Sequence, residues 1–211
     1  MMKRRIVALS LLSLFALLAA PAAWAQSDEE LVEAEWEKRV NRRQPPERIM
    51  DAIGLKPGMV IGEVGAGTGR ISVWLARRVG PQGKVFANDI DAEALDRLWA
   101  RAKRLKFGNV ETVLGKSDDP LLPRDALDIA FMINVYHHLE KPRAILVAIR
   151  PSLKPGGVLA IVERDPAKSE SASEATPRED MARRLDEAGY ELVRVETFLA
   201  EDNIYIARPK R

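Results

Sequence analysis

The run Val60-Ile61-Gly62-Glu63-Val64-Gly65-Ala66-Gly67-Thr68-Gly69-Arg70 constrains the fold of this chain more than any other segment. A short apolar stretch meets an acid, then three glycines at alternate positions, and leads into a helix-prone segment. Such a strand-to-helix turn lets a nucleoside ligand approach the backbone with no Cβ in the way. The spacing is G-x-G-x-G, whereas the dinucleotide fingerprint G-x-G-x-x-G places its third glycine where this chain has Arg70. The loop therefore reads as built for a nucleoside without a pyrophosphate. S-adenosylmethionine is the candidate, and a nicotinamide oxidoreductase is the weaker alternative.

From residue 59 onward strand and helix patterns alternate. Strands are expected at 59–64, 84–89, 110–114, 127–133 and 158–163, with helices at 70–79, 92–105, 142–150 and 177–188. The continuous apolar run 127–133 is the kind buried on both faces of a parallel sheet. Two closing strands, 191–195 and 204–207, suggest an antiparallel edge. The alternation implies an α/β fold, a single doubly wound domain with right-handed crossovers. Residues 26–44 are charged and helix-prone, with Leu31, Val32, Trp36 and Val40 on one stripe, and Pro45-Pro46 ends them. Residues 164–176 are polar and read as a mobile loop. Trp74, Trp99 and Phe107 read as helix faces buried on the sheet, and Arg101–Arg104 as a solvated face.

The first 25 residues have the form of a secretory leader. Lys3, Arg4 and Arg5 precede an apolar stretch, and Ala23-Trp24-Ala25 offers a cleavage point before Gln26. The alternative is an uncleaved membrane anchor, since the segment approaches the roughly 20 residues that span a bilayer. Either way the basic residues stay inside and the domain lies outside, which makes an exported, periplasmic protein the expectation. The chain then divides into a leader (1–25), a helical segment (26–46) and a domain (47–211). Without the leader the formal charge moves from +2 to −1, so no electrostatic case for nucleic acid remains. There are no cysteines, and the two histidines, His137 and His138, are adjacent, so neither a disulfide nor a metal site is expected.

Asp89 ends the second expected strand, 24 residues after Gly65. An acid there is placed to accept hydrogen bonds from both ribose hydroxyls. The competing role is an N-cap for the next helix, which Asp91 fits better. Glu63 either holds the glycine loop through backbone amides or meets the methionine ammonium of the cofactor through water.

Glu63-Val-Gly-Ala-Gly-Thr-Gly69, the acid ending Val85-Phe-Ala-Asn-Asp89, the strand ending Asn134-Val-Tyr-His-His138, and Leu153-Lys-Pro-Gly-Gly157 together resemble class I S-adenosylmethionine-dependent methyltransferases, in order and spacing. The nearest flavour is the small group that includes the quinone C-methyltransferases. The resemblance runs from about Arg48 to Arg208. It implies a Rossmann-like seven-stranded sheet in the order 3-2-1-4-5-7-6 with the last strand antiparallel. It also implies that Gly65, Ala66, Gly67 and Gly69 line the methionine and ribose side, with Asp89 on the ribose and Ile90 on the adenine. Lys116 stands where the acid near the adenine amine is commonest, which leaves Ser117 and Asp118 as the substitutes. Asn134 falls beneath the methyl donor.

Methyl transfer is an in-line displacement in which the enzyme supplies proximity and orientation. A protic acceptor also needs a base, and His137 or His138 can serve as one near neutral pH. The alternative is that the pair caps and packs the following helix. Tyr136 is either a wall of the substrate pocket or plain packing, and Trp36 is a candidate lid. The expected function is methyl transfer to a small-molecule or lipid-like acceptor, with the membrane met only through the leader. A binding protein of the same fold without turnover is the rival.

Overall fold

Three short helices open the described chain, α1 (Asp28–Leu31), α2 (Glu35–Arg43) and α3 (Pro46–Ala52). A computed structural model describes residues 26–168 and 175–210. The expected leader and its cleavage point lie outside the described residues, as do residues 169–174 of the expected mobile loop. The alternating part then runs β1 (Val60–Val64), α4 (Ser72–Val79), β2 (Lys84–Asp89), α5 (Ala92–Arg104), β3 (Val110–Leu114) and β4 (Leu127–Ile133). It continues with α6 (Pro142–Ile149), β5 (Leu153–Arg164), α7 (Arg178–Glu187), β6 (Tyr190–Glu196) and β7 (Asp202–Pro209).

The seven strands form one sheet in the order β3-β2-β1-β4-β5-β7-β6. The first five pair in parallel, and β7 is inserted antiparallel between β5 and β6. The period-2 alternation of strand side chains divides the core in two. Ile61, Ile129, Phe131, Ile133, Val162 and Ile204 face the layer that holds α3, α4 and α5. Val64, Ala130, Met132, Ile161 and Tyr205 face the layer that holds α6 and α7. The sheet reverses its winding between β1 and β4, so the connections leaving the carboxyl ends of these two strands run to opposite faces and open a crevice.

Several elements differ from the sequence pattern. The expected helix 26–44 is broken after Leu31, because buried Glu37 accepts the Glu33 amide (3.0 Å) while Arg101 takes the Leu31 carbonyl (2.5 Å). Arg101 is therefore a fully buried residue rather than part of a solvated face, 1% exposed and doubly bonded to Glu37 (2.8 and 2.9 Å). Trp99 is the converse. It lies one position off the Leu95–Leu98–Ala102 stripe and is 52% exposed, with Lys103 over its ring. The Lys154-Pro155-Gly156-Gly157 segment, expected to turn before its strand, is a bulge within β5, where the register against β4 shifts between Leu127 and Ile129. None of the described helices is long and apolar enough to cross a membrane.

Candidate functional site

The glycine loop leaves β1 at the crevice and turns back toward β2. Gly65 sits at φ +77°, and a Cβ there would lie 2.2 Å from Val135 Cγ2, so only glycine fits. The amides of Gly65 and Ala66 both donate to the Asn88 carbonyl (2.9 Å each). Gly67 donates to Asp89 Oδ2 (2.7 Å), and no atom lies within 4 Å of its Cβ position, so this part of the loop faces open space. Asp89 Oδ1 accepts the Asp91 amide (3.0 Å), while Asp91 itself caps α5 by accepting from Glu93 and Ala94. The capping role thus falls to Asp91. Asp89 braces the glycine loop from the end of β2.

Gly69 departs from its expected role. It is buried, with Leu98 Cγ 2.8 Å from its Cβ position, and it seats the loop against α5 instead of lining the crevice. Of the two roles expected of Glu63, holding the loop amides is not the one seen. Its carboxylate accepts the Ser72 hydroxyl (2.5 Å) at the start of α4, rather than amides of the loop.

The crevice has two halves that meet at Gly65. One, of about 250 Å³, is lined by Asp89, Ile90, Lys116, Ser117, Val135, His138 and neighbours from β1, β2 and α6. Ile90 is 65% exposed there, an apolar face open to a flat ring. The other half, of about 300 Å³, is lined by Trp36, Glu63, Gly65, Ala66, Gly67, Thr68, Arg70, Ile71, Ile133 and Asn134. Asp118 belongs to neither. It pairs with Lys141 (2.9 Å) on the surface, which holds its carboxyl below the usual range, so Ser117 and Lys116 alone represent that loop.

The second half is rich in buried polar groups. Burial pushes the Glu63 carboxyl up to about 7, against the downward pull of Ser72 and Arg70. Arg70, also buried, is pushed down to about 10 by desolvation and still carries its charge at neutral pH. It donates to Asn41 (2.9 Å) and to Gln44 (3.2 Å). The Gln44 and Asn134 amides bond each other reciprocally (2.8 and 2.9 Å), and Gln44 also donates to Asp202 (3.0 Å). Asn134 sits at φ +56°, a strained position for a non-glycine residue at the end of β4. Gln44 and Asp202 carry no sequence signature that could have brought them to attention. Only the fold joins them.

The short turn Tyr136–His138 after β4 sorts its three candidates differently. Tyr136 is 2% exposed among Ile145, Leu146, Met181 and Leu185, so it packs the core and is no wall of a substrate pocket. His138 is exposed and lines the half of the crevice that holds Asp89. His137 is largely buried, and its Nδ1 lies 2.8 Å from Oε1 of Glu163 near the end of β5. Glu163 is 1% exposed, and its second oxygen has no partner among the described residues. The contact with this carboxylate fixes the orientation of the His137 ring.

Residues 63–159 match the family model described as a methyltransferase domain. The match covers just under half of the chain, and together with the fold it makes this domain similar to the class I, S-adenosylmethionine-dependent methyltransferases. The chain is 29% identical over 140 residues to a probable cobalt-precorrin-6B C(15)-methyltransferase of Sulfolobus acidocaldarius, covering 66% of each. It is 33% identical over 114 residues to the ubiquinone/menaquinone biosynthesis C-methyltransferase of Bordetella avium, covering 52% of this chain and 42% of that one. A solved S-adenosylmethionine-dependent methyltransferase from Aquifex aeolicus superposes with a TM-score of 0.75 at 26% identity, over 83% of this chain and 98% of that one. The chain spans between 29% and 66% of the length of the first curated relatives it matches. The cofactor of such a domain is S-adenosylmethionine. A two-part crevice with an apolar face and an acid in one half, and a buried acid and arginine in the other, fits a nucleoside joined to an amino acid.

Proposed function

We propose that this protein transfers a methyl group from S-adenosylmethionine to a small-molecule or lipid-like acceptor. One observation carries the reading. The two halves of the crevice meet at Gly65, with Asp89 and Ile90 in one and Glu63, Arg70 and Asn134 in the other. Asp89 takes the ribose hydroxyls, since each of its oxygens accepts one amide and has a lone pair to spare. Ile90 packs on the adenine and Ser117 meets its edge. Arg70 answers the carboxylate of the amino-acid end, Glu63 its ammonium. Gly65, Ala66 and Gly67 supply a path without side chains between the two.

When bound, S-adenosylmethionine supplies an electrophilic methyl group on sulfur, whose bond electrons return to the sulfur as the acceptor attacks. The chain's own contribution is orientation and the handling of a proton. His138 lines the crevice whereas His137 does not and is held by Glu163, so His138 is the candidate to accept the proton that a hydroxyl or acidic carbon releases. The C- and O-methyltransferases among the relatives support a carbon or oxygen acceptor over an amine. We also propose that the protein is exported, on the strength of its leader. Fractionation with N-terminal sequencing checks this, the expected mature start being Gln26.

The cofactor reading is tested by calorimetric titration with S-adenosylmethionine, using Asp89→Ala as control. Loss of the ribose contact, a hydrogen bond to a charged group, is expected to weaken binding by about tenfold or more. Equal binding by both proteins, or none by either, refutes the assignment.

A further inference from the structure

Two of the large apolar side chains left exposed among the described residues line the crevice. They are Ile90 in one half and Trp36, 45% exposed, in the other. Trp36 is not loose. Its neighbour Glu37 is 2% exposed and held by two bonds to Arg101, which also reaches the carbonyl of Thr68 in the glycine loop (3.5 Å). At the other end of α2, Gln44 is tied to Asn134, Asp202 and Arg70. The helix is thus fixed at both ends to the elements that form the crevice, and its indole is carried on the rim at a set place. Exposure alone does not set Trp36 apart, since Trp99 is 52% exposed on the outer face of α5; its place on the rim of the crevice does.

The charges in this half are few. Among its lining residues they are the Arg70 guanidinium and the Glu63 carboxyl, while Asp89 stands in the other half, Glu37 is paired with Arg101 and Asp202 accepts from Gln44. The amino-acid end of S-adenosylmethionine brings one carboxylate and two cations, the ammonium and the sulfonium. Arg70 answers the carboxylate and Glu63 one cation, which leaves a cation without a counter-charge. The face of an indole attracts a cation, most strongly where water is partly excluded.

We infer that Trp36 reads the positive charge of the methyl donor, holding S-adenosylmethionine through a cation–π contact and releasing its grip once transfer leaves a neutral thioether. The inference rests on the cofactor reading above and adds a selectivity between donor and spent product. It makes α2 part of the binding site and gives product release a physical cause.

The test is titration of the whole protein with three probes. These are S-adenosylmethionine, S-adenosylhomocysteine, and the analogue that carries an amine in place of the sulfonium. Trp36→Leu is expected to weaken the two charged probes about tenfold and the neutral product less than threefold. Trp36→Tyr is expected to fall between. Trp36 is half exposed, so both variants should keep the melting temperature of the wild type, which shows that the fold is intact. If Trp36→Leu weakens all three probes alike, or none, charge reading by Trp36 is wrong. If the wild type binds none of the three, the cofactor reading itself is wrong and this inference goes with it.

Discussion

Burial raises the Glu63 carboxyl above its value in the unfolded chain, and this makes a quantitative expectation. Burial lifts its carboxyl from 4.5 to about 7. Because the folded value is the higher one, the contribution to stability is complete below about 4.5 and is lost as pH rises through about 7. The rise corresponds to about 3 kcal/mol at ~1.4 kcal/mol per pH unit. Glu63→Gln carries no titrating proton, yet its side-chain oxygen still accepts from Ser72. The difference in unfolding free energy between wild type and Glu63→Gln should therefore change by about 2.5 kcal/mol from about pH 5 to about pH 8, in favour of the variant at the alkaline end. Urea denaturation across that range measures it, and titrating groups not coupled to Glu63 cancel in the difference. Parallel stability curves would refute the reasoning. The same proton reports on ligand binding. An ammonium beside the carboxylate favours its charged form, so S-adenosylmethionine binding near pH 6.5 should release a proton in the wild type and none in Glu63→Gln. Calorimetry in buffers of different ionisation heat reads that release, and proton uptake would place the cationic end elsewhere.

The glycine loop supplies a contrast between neighbours. Gly65→Ala must force Val135 aside and hold a left-handed φ, so a loss of about 3 kcal/mol or more by denaturation is expected, whereas Gly67→Ala bears only the backbone strain of about 1–2 kcal/mol. Arg101→Met leaves the Glu37 carboxylate buried without its partner and is expected to cost about 3–5 kcal/mol, much of it recovered in the double variant Glu37→Leu/Arg101→Met. A chain in which both single changes are neutral would show that α2 is not anchored as described.

How far the sequence discloses this molecule depends on whether the signal is local. The strand order follows from β-α alternation and the family resemblance, because each central strand is a short apolar run and each crossover a helix of ordinary length. The glycine loop and Asp89 are legible for the same reason, since their spacing along the chain fixes their spacing in space. Arg101 is not. A basic cluster at the end of a helix looks solvated, and nothing in the cluster announces an acid 64 positions earlier that will bury one member of it. Tyr136 and His137 are adjacent in sequence yet face the core and β5 respectively, a split made by the tight turn after β4. Glu163 escaped notice as the ordinary polar end of an apolar strand. Its meaning comes from His137 meeting it across the sheet.

The polar groups around the crevice are joined in a way that bears on what the N-terminal segment does. Gln44 bonds Asn134 at the end of β4, Asp202 at the start of β7 and Arg70 after the glycine loop, so one side chain links three elements that the chain visits far apart. The family match begins only at residue 63, yet Trp36 and Gln44 stand at the crevice it encloses. Buried polar networks of this kind are costly when any member is left unpaired, so they favour a single arrangement of the elements they connect. Here that arrangement fixes α2 over the half of the crevice that holds Glu63 and Arg70. Asn134, strained at φ +56°, is held there by its bonds to Gln44. Asn134 lines the crevice and is restrained by its two bonds to Gln44, so it is held in place before any ligand arrives. The crevice therefore does not have to order its own walls on binding, and that saving appears as affinity for whatever fits.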